Sequence, residues 1–329
     1  AHSSGKCELC AKGQFRKGTC EAGTPQEISH TDSHKDGNDL FLKGAYVELG
    51  MSHNGYYGTH TQPPPSFVAY AMKKSGTRAT GLSVIADHHK DGWDKTKRAL
   101  NFAGDYAMPG SPHESWMVGY YKGGSKHVQC SGRSGYSRCS NNMSCSITDQ
   151  TVKADGLLKA TSVCSNNDIK VTQTASFGAN QLFIRTEVKV EALSSGLTNV
   201  RYMRNVDPDN EVSSGHSYTT VNKVVAQYAN GDGYSAVGAS SAHGTDSYFA
   251  LYTKDKRSYV RWGGFHNTDP YTSEFGQYAS KYAAGAERKA DEAIDMMLKL
   301  GDGLQGAAAA SFDFYYVMDK TLEGNMPAK

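Results

Sequence analysis

Apolar and polar positions alternate along much of the chain. In residues 181–191, Phe183, Arg185, Glu187, Lys189 and Glu191 take one phase, and Leu182, Ile184, Thr186, Val188 and Val190 take the other. A period of two gives a strand with one wet face and one buried face, the signature of an antiparallel sheet. Leu182, Ile184 and Val188 are expected inside. Shorter runs of the same kind lie at 40–50, with a bend at Gly44, and at 82–86, 116–121, 147–152, 157–164 and 169–176. They continue at 200–206, 217–228, 247–253, 258–262 and 312–318. Such a series, broken by turns at hairpin spacing, predicts a mainly β fold: one large antiparallel β-sandwich over residues 36–329.

One segment breaks the pattern. Over residues 281–300, Ala286, Ala290, Ile294, Met297 and Leu298 fall at helical spacing, with Glu287, Lys289, Asp291, Glu292 and Lys299 largely off that stripe. This predicts one long C-terminal helix packed on the sheet, closed by Gly301, where a positive φ costs glycine little.

Composition narrows the class. Hydrophobic residues make up 38% of the 329 positions, enough for a folded core. The 35 basic and 33 acidic residues nearly cancel, which argues against nucleic-acid binding driven by bulk charge. No apolar run is long enough for a membrane-spanning helix. The chain starts at Ala1 without Met, as after signal-peptide removal. Its seven cysteines fall in two groups: Cys7, Cys10 and Cys20, then Cys130, Cys139, Cys145 and Cys164 in a Ser- and Gly-rich stretch. Both features predict a secreted, disulfide-containing protein. Residues 1–35 carry no hydrophobic period and read as an N-terminal arm, and residues 130–164 as a disulfide-rich insertion. Because the first cysteine group is odd, one thiol is left to stay free, join the other group or bridge chains. Asn142-Met143-Ser144 is a glycosylation sequon.

Catalytic signatures are missing: there is no Gly-x-Ser-x-Gly, no His-Glu-x-x-His and no phosphate-binding glycine loop. Paired carboxylates leave no local signature, so enzymatic activity stays open. Asp207-Pro208-Asp209-Asn210-Glu211 packs hard oxygen donors into one bend. It makes Asp207, Asp209 and Asn210 calcium candidates beside the plainer reading of an Asx turn. Cys7-x-x-Cys10 with Cys20 and His30 has permissive zinc spacing, although a disulfide suits the compartment better. His88-His89 among Asp87, Asp91 and Asp94, His113-Glu114, and Asp36-Gly37-Asn38-Asp39 are further polar clusters that solvated loops also explain. Trp93, Trp116 and Trp262, with the pairs Tyr56-Tyr57, Tyr120-Tyr121 and Tyr315-Tyr316, are sugar-stacking candidates if exposed and core rings if not.

Several segments together carry a resemblance. They are Asn38-Asp39-Leu40-Phe41, Gly44-Ala45-Tyr46-Val47-Glu48-Leu49-Gly50, Ala86-Asp87 and Lys90-Asp91-Gly92-Trp93. With them go Gly104-Asp105-Tyr106-Ala107-Met108-Pro109-Gly110-Ser111-Pro112, Glu114, Thr198-Asn199-Val200-Arg201-Tyr202, Arg204-Asn205-Val206-Asp207-Pro208-Asp209-Asn210, Gly263-Gly264-Phe265 and Asp269-Pro270. Together they resemble a large β-sandwich module that recurs in secreted and surface proteins. The resemblance covers residues 36–320. It implies an extracellular β-rich scaffold and brings no catalytic residues.

Two functions follow as expectations. The arm and the odd cysteine suggest a secreted structural subunit that self-associates through the arm into a homopolymer or filament. The aromatic pairs and nearby acids suggest instead a carbohydrate-binding or carbohydrate-active β-sandwich with a glycan partner. No cofactor is expected beyond possible Ca²⁺.

Overall fold

The structure is a computed structural model. It describes residues 14–17, 19–22, 27–33, 37–69, 81–90, 105–111, 113–133, 142–150, 157–265, 267–272, 281–301, 304 and 308–321, with side chains from Asp39 onward except at 133, 148–150 and 214. The described strands run in order as β1 Gln14–Lys17, β2 Thr19–Ala22, β3 Glu27–Ser33, β4 Gly37–Lys43, β5 Val47–Ser52, β6 Val84–Ala86 and β7 Glu114–Lys122. Then come β8 Ser125–Arg133, β9 Ser144–Gln150, β10 Leu157–Ser165, β11 Ile169–Gly178, β12 Phe183–Ala192, β13 Thr198–Val206 and β14 Thr220–Ala226. The series ends with β15 Ser235–Ser241, β16 Tyr248–Thr253, β17 Ser258–Trp262, β18 Glu287–Ala290, β19 Ile294–Gly301 and β20 Ala309–Val317.

A nine-stranded sheet, ordered β18-β14-β15-β16-β20-β12-β11-β10-β9, faces a five-stranded sheet, β17-β19-β13-β7-β8. A smaller sheet, β3-β4-β5-β6, completes the layers, and every pairing is antiparallel. Within the span expected to form an arm, β3 pairs with this chain's own β4 from Glu27↔Lys43 to Ser33↔Gly37.

The clearest strand behaves as its pattern predicts. In β12, Ile184, Thr186, Val188 and Val190 are buried while Glu187 and Lys189 are exposed, and Leu182 just before it is buried too. These residues meet Phe312, Phe314 and Tyr316 of β20 and, from the facing sheet, Trp116, Val118 and Tyr202. The stretch 40–50 is two strands rather than one bent one. Gly44 N–H donates to the Val47 carbonyl and closes a hairpin between β4 and β5.

The long C-terminal helix is absent. Residues 281–300 instead hold β18 and β19, and the only complete helical elements among the described residues are two three-residue 3₁₀ turns, Val212–Ser214 and Tyr228–Asn230. The reason lies in burial. β19 runs between β17 and β13 and is covered on both faces, so every residue of Ile294–Leu300 except Lys299 is buried, and only Asp295 and Lys299 are charged. Ile294, Met296 and Leu298 enter the sandwich core, while Met297 joins Met117, Met203 and Cys130 on the opposite face. Apolar residues on both faces of a strand satisfy helical spacing by coincidence, and tertiary pairing overrides the helix propensity of Ala, Met, Leu and Lys.

The core is pinned by charge. Arg204 of β13 and Glu114 of β7 are both fully buried, joined by Nε–Oε1 at 2.5 Å and Nη2–Oε2 at 3.1 Å. Arg204 Nη1 also donates to Gln173 Oε1 of β11 at 2.8 Å, and Tyr316 of β20 donates to Glu114 Oε1 at 2.6 Å. The backbone N–H of Tyr57 donates to Glu114 Oε2, and the Gly55 carbonyl accepts from both Arg204 Nη atoms at 3.3 Å. Gly55 has φ +82° and faces the Gln173 amide so closely that a Cβ would meet Nε2 at 2.5 Å. Only glycine fits this turn.

Cys145 of β9 and Cys164 of β10 sit opposite each other and form a disulfide. Cys130 is also disulfide-bonded, to a partner outside the described residues. Cys7, Cys10, Cys20 and Cys139 lie outside the described side chains. Bonds of this kind persist in oxidising compartments, as in a secreted protein. Among the described residues no helix is long and apolar enough to cross a membrane.

Two outcomes are expected. Without reductant, thiol labelling should leave Cys130, Cys145 and Cys164 unmodified; labelling of Cys145 would refute the β9–β10 bridge. Glu114→Gln should cost about 3–5 kcal/mol in urea unfolding, because it strands the Arg204 charge in the core. A cost below about 1 kcal/mol would show that Arg204 finds another counter-charge.

Candidate functional site: an acid cluster at the strand ends

β13 delivers the Asp207–Glu211 bend to one end of the sandwich. Val206 pairs with both Glu114 and Ile294, so Asp207 emerges beside the start of β7 and the start of β19. Asp207 N–H donates to the His113 carbonyl at 2.9 Å, and Asp209 N–H to the Tyr106 carbonyl at 2.8 Å. Asp291 lies in the β18–β19 connection and reaches the same place. One carboxylate oxygen from each of Asp207, Asp209 and Asp291 lies within 4.8 Å of the others. Asp291 is exposed, Asp207 half-buried and Asp209 only 3% exposed, so the cluster opens to solvent from one side.

The rest of the bend is committed elsewhere. Asn210 Nδ2 donates to the Ala239 carbonyl of β15 at 2.8 Å. Glu211 accepts from Ser241 Oγ at 2.6 Å, Ala242 N–H at 3.0 Å and the Thr245 hydroxyl. Burial works to raise the Glu211 pKa, yet the hydrogen bonds from Ser241, Thr245 and Ala242 together hold it below the ordinary value. The triad in space is therefore Asp207, Asp209 and Asp291, where the bend alone suggested Asn210 as third member. Asp291 escaped notice because its segment reads as helix; the sequence signal that could have marked it is the acidic pair Asp291-Glu292 just before the largely apolar stretch from Ala293 to Leu300.

Electrostatics sets these acids apart. Burial, then the charges of Asp291 and Glu292, push Asp207 far above the usual carboxylate range. Burial, then Asp207, Asp291 and Asp105, do the same to Asp209. Nearby Asp105 is a structural acid, accepting from the N–H groups of Ser83, Ala107 and Met108.

An aromatic rim borders the same end. Tyr218 is 44% exposed, and a Cβ on Gly110 (φ +63°) would meet its ring at 2.7 Å, so the ring lies directly on the 105–111 loop. His216 and His243 stack on each other with ring centroids 4.9 Å apart, and His216 N–H donates to the Glu211 carbonyl. On the other flank Gly263 approaches Glu292, and Phe265, two residues on, is 38% exposed.

The other candidates are placed as follows. Trp116 is fully buried, stacks on Tyr202 and donates Nε1–H to the Asn54 carbonyl, so no sugar ring can reach it. Trp262 is 8% exposed, against Tyr282 and under the cations of Lys281 and Arg288. Trp93, Asp91 and Asp94 lie outside the described residues. Tyr56, Tyr57, Tyr120 and Tyr316 are core rings. Asn142 is exposed, as a glycosylation acceptor requires. His88 and His89 lie ring to ring at 4.3 Å; burial, then His89, holds the His88 pKa down. His113 and Glu114 point to opposite faces of β7, His113 to Asn205 and Glu114 to Arg204. Asp39 accepts from His60 N–H and from the N–H and hydroxyl of Thr61, so it organises a loop.

No family model and no curated protein matches the chain. Among solved structures it is similar to a bacterial glucoamylase complexed with acarbose, at TM-score 0.46 and 9% identity over 90% of this chain and 34% of that one. It is also similar to a kojibiose phosphorylase candidate from the human microbiome, at TM-score 0.37 and 9% identity over 87% and 30%. A galactose mutarotase related enzyme from Lactobacillus acidophilus matches at TM-score 0.32 and 9% identity over 86% and 98%. The chain thus spans about a third of the length of the first two. At such identity and scores, the chemistry has to be read from this chain's own residues.

The acid cluster predicts a sign for pH dependence. Where folding raises an acid's pKa, the folded state holds a proton that the unfolded state releases, so stability falls as pH rises above about 4. In chelator, Asp209→Asn should flatten this fall relative to the parent and gain about 1–2 kcal/mol near pH 8. Parallel profiles for the two proteins in urea unfolding would show that Asp209 carries no such strain.

Proposed function

We propose that the chain is a carbohydrate-binding β-sandwich module acting outside the cytosol, with the acid cluster and its aromatic rim as the recognition face. The observation that carries this reading is the conjunction at one loop end of the exposed Tyr218 ring with the Asp207–Asp209–Asp291 carboxylates. Aromatic faces take the C–H face of a sugar, and carboxylates accept its hydroxyl protons in charge-assisted hydrogen bonds. The rigid strand ends beneath hold both in place. Binding needs no catalytic acid, and Asp209, 97% buried, is poorly placed to meet a glycosidic oxygen.

The alternative, a structural subunit assembling through its arm, depends on residues 1–35 and on Cys7, Cys10 and Cys20, whose side chains lie outside the described residues.

A glycan array followed by calorimetric titration tests the proposal. The expected result is a saturable glycan ligand at one site per chain, with Tyr218→Ala weakening it by about tenfold, roughly the loss of one stacking contact. An array without a ligand, or a ligand whose affinity Tyr218→Ala leaves unchanged, overturns it.

A further inference from the structure

Among the described residues, most buried acids are met by a cation or by several hydrogen bonds. Glu114 is met by Arg204, Asp295 by Arg261 at 2.7 Å and Glu48 by Lys43 at 3.4 Å, with further hydrogen bonds from Val68 and Ala69 N–H. Asp105 and Glu211 accept three hydrogen bonds each. Asp209 differs. Its Oδ1 is buried and has no hydrogen-bond partner, and the charges acting on it come from Asp207, Asp291 and Asp105. The adjacent Asn210 Oδ1 is likewise buried without a partner. An unpaired buried carboxylate oxygen costs several kcal/mol, and a second and third carboxylate alongside add to that.

We infer that Asp207, Asp209 and Asp291 form a divalent-cation site, with calcium the ion that it suits. Hard carboxylate oxygens select Ca²⁺, Mg²⁺ or Mn²⁺ over softer metals. Three oxygens no more than 4.8 Å apart have a common point within about 2.8 Å of all three, close to the 2.3–2.6 Å of Ca²⁺–oxygen bonds. Mg²⁺, at 2.0–2.1 Å, would need a larger contraction. The exposed side of Asp291 leaves room for water ligands, which a six- to eight-coordinate ion requires. Formally the ion also replaces the missing counter-charge, tying the loop after β13 to the β18–β19 connection. The ion takes the same carboxylates as the proposed glycan face, and its binding is measured without any sugar.

The test uses the full chain stripped with chelator and then titrated with CaCl₂ alone, read by calorimetry and by thermal unfolding, with MgCl₂ as comparator. One Ca²⁺ per chain, a rise in Tm of a few degrees at saturation and weaker Mg²⁺ binding are expected. Asp291→Ala changes an exposed loop residue and should fold normally while weakening Ca²⁺ at least tenfold; Asp209→Asn should abolish it. No heat and no Tm change up to millimolar Ca²⁺ in the parent protein overturns the site. Unchanged Ca²⁺ affinity in Asp291→Ala overturns this ligand set. A glycan that binds equally with and without Ca²⁺ leaves the proposed function standing while these metal results are decided on their own.

Discussion

A guanidinium at the centre of a sandwich is the constraint to which the rest of this fold answers. Arg204 has no exposed surface, and removing such an ion from water costs several kcal/mol before any contact is made. The cost is offset only because its N–H groups reach Glu114, Tyr316, Gln173, Tyr202 and the Gly55 carbonyl together. Those partners come from β7, β20, β11, β13 and the turn after β5. Arg204 therefore sets the register of both sheets at once. A slip of one residue in β13 would turn Arg204 out of the core and turn Met203 or Asn205 in. The stacked faces of Tyr57 and Phe314 around the guanidinium add cation–π attraction in the same low-dielectric space.

The alternation of β13 distributes three kinds of polar chemistry along a few residues. Arg204 faces the facing sheet. Asn205 faces the other way, into a buried row where Arg261 holds Asp295 and His113 closes the far end. Burial pushes the Asp295 pKa up to about 6, with Arg261 opposing the shift. Val206 ends the strand and Asp207 leaves it. The charges in the two internal rows are met within the protein because regular strands bring a counter-charge opposite each. Past the strand end no such partner is delivered, and charges gather there without one.

How much of this was legible varies with how each residue is buried. β12 showed itself because one face is wet, so Glu187 and Lys189 mark the alternation. β19 did not, because both of its faces are covered and its apolar run carries no period that separates strand from helix. β8 and β15 were passed over for a different reason: glycine and serine make up much of Ser125–Arg133 and Ser235–Ser241, and their pairing comes from neighbours rather than from side-chain pattern. The sequence left Trp116 open between a surface ring and a core ring, and Tyr202 covers it. Burial of a large aromatic depends on which strand lies opposite, and a local pattern does not contain that. The Asp207–Asn210 bend was visible as an oxygen-rich turn. Its third acid was not, since Asp291 is brought to it through the β13–β19 pairing, across more than eighty residues of chain.

The contrast between Glu114 and Asp209 also bears on what the molecule can exchange with its surroundings. Glu114 is a closed site: every oxygen has a protein donor, and nothing from solvent can improve it. Asp209 has an oxygen that the fold leaves unmatched, adjoining an exposed acid through which ions and hydroxyl groups can enter. Stability selects for the first arrangement and works against the second. A fold that supplies counter-charges or hydrogen-bond donors to most of its described buried acids, yet holds three carboxylates together at a loop end, is storing unfavourable free energy in one place. That energy is recovered only when something positively charged or rich in donors arrives, so the least satisfied part of the protein is where binding has the most to gain.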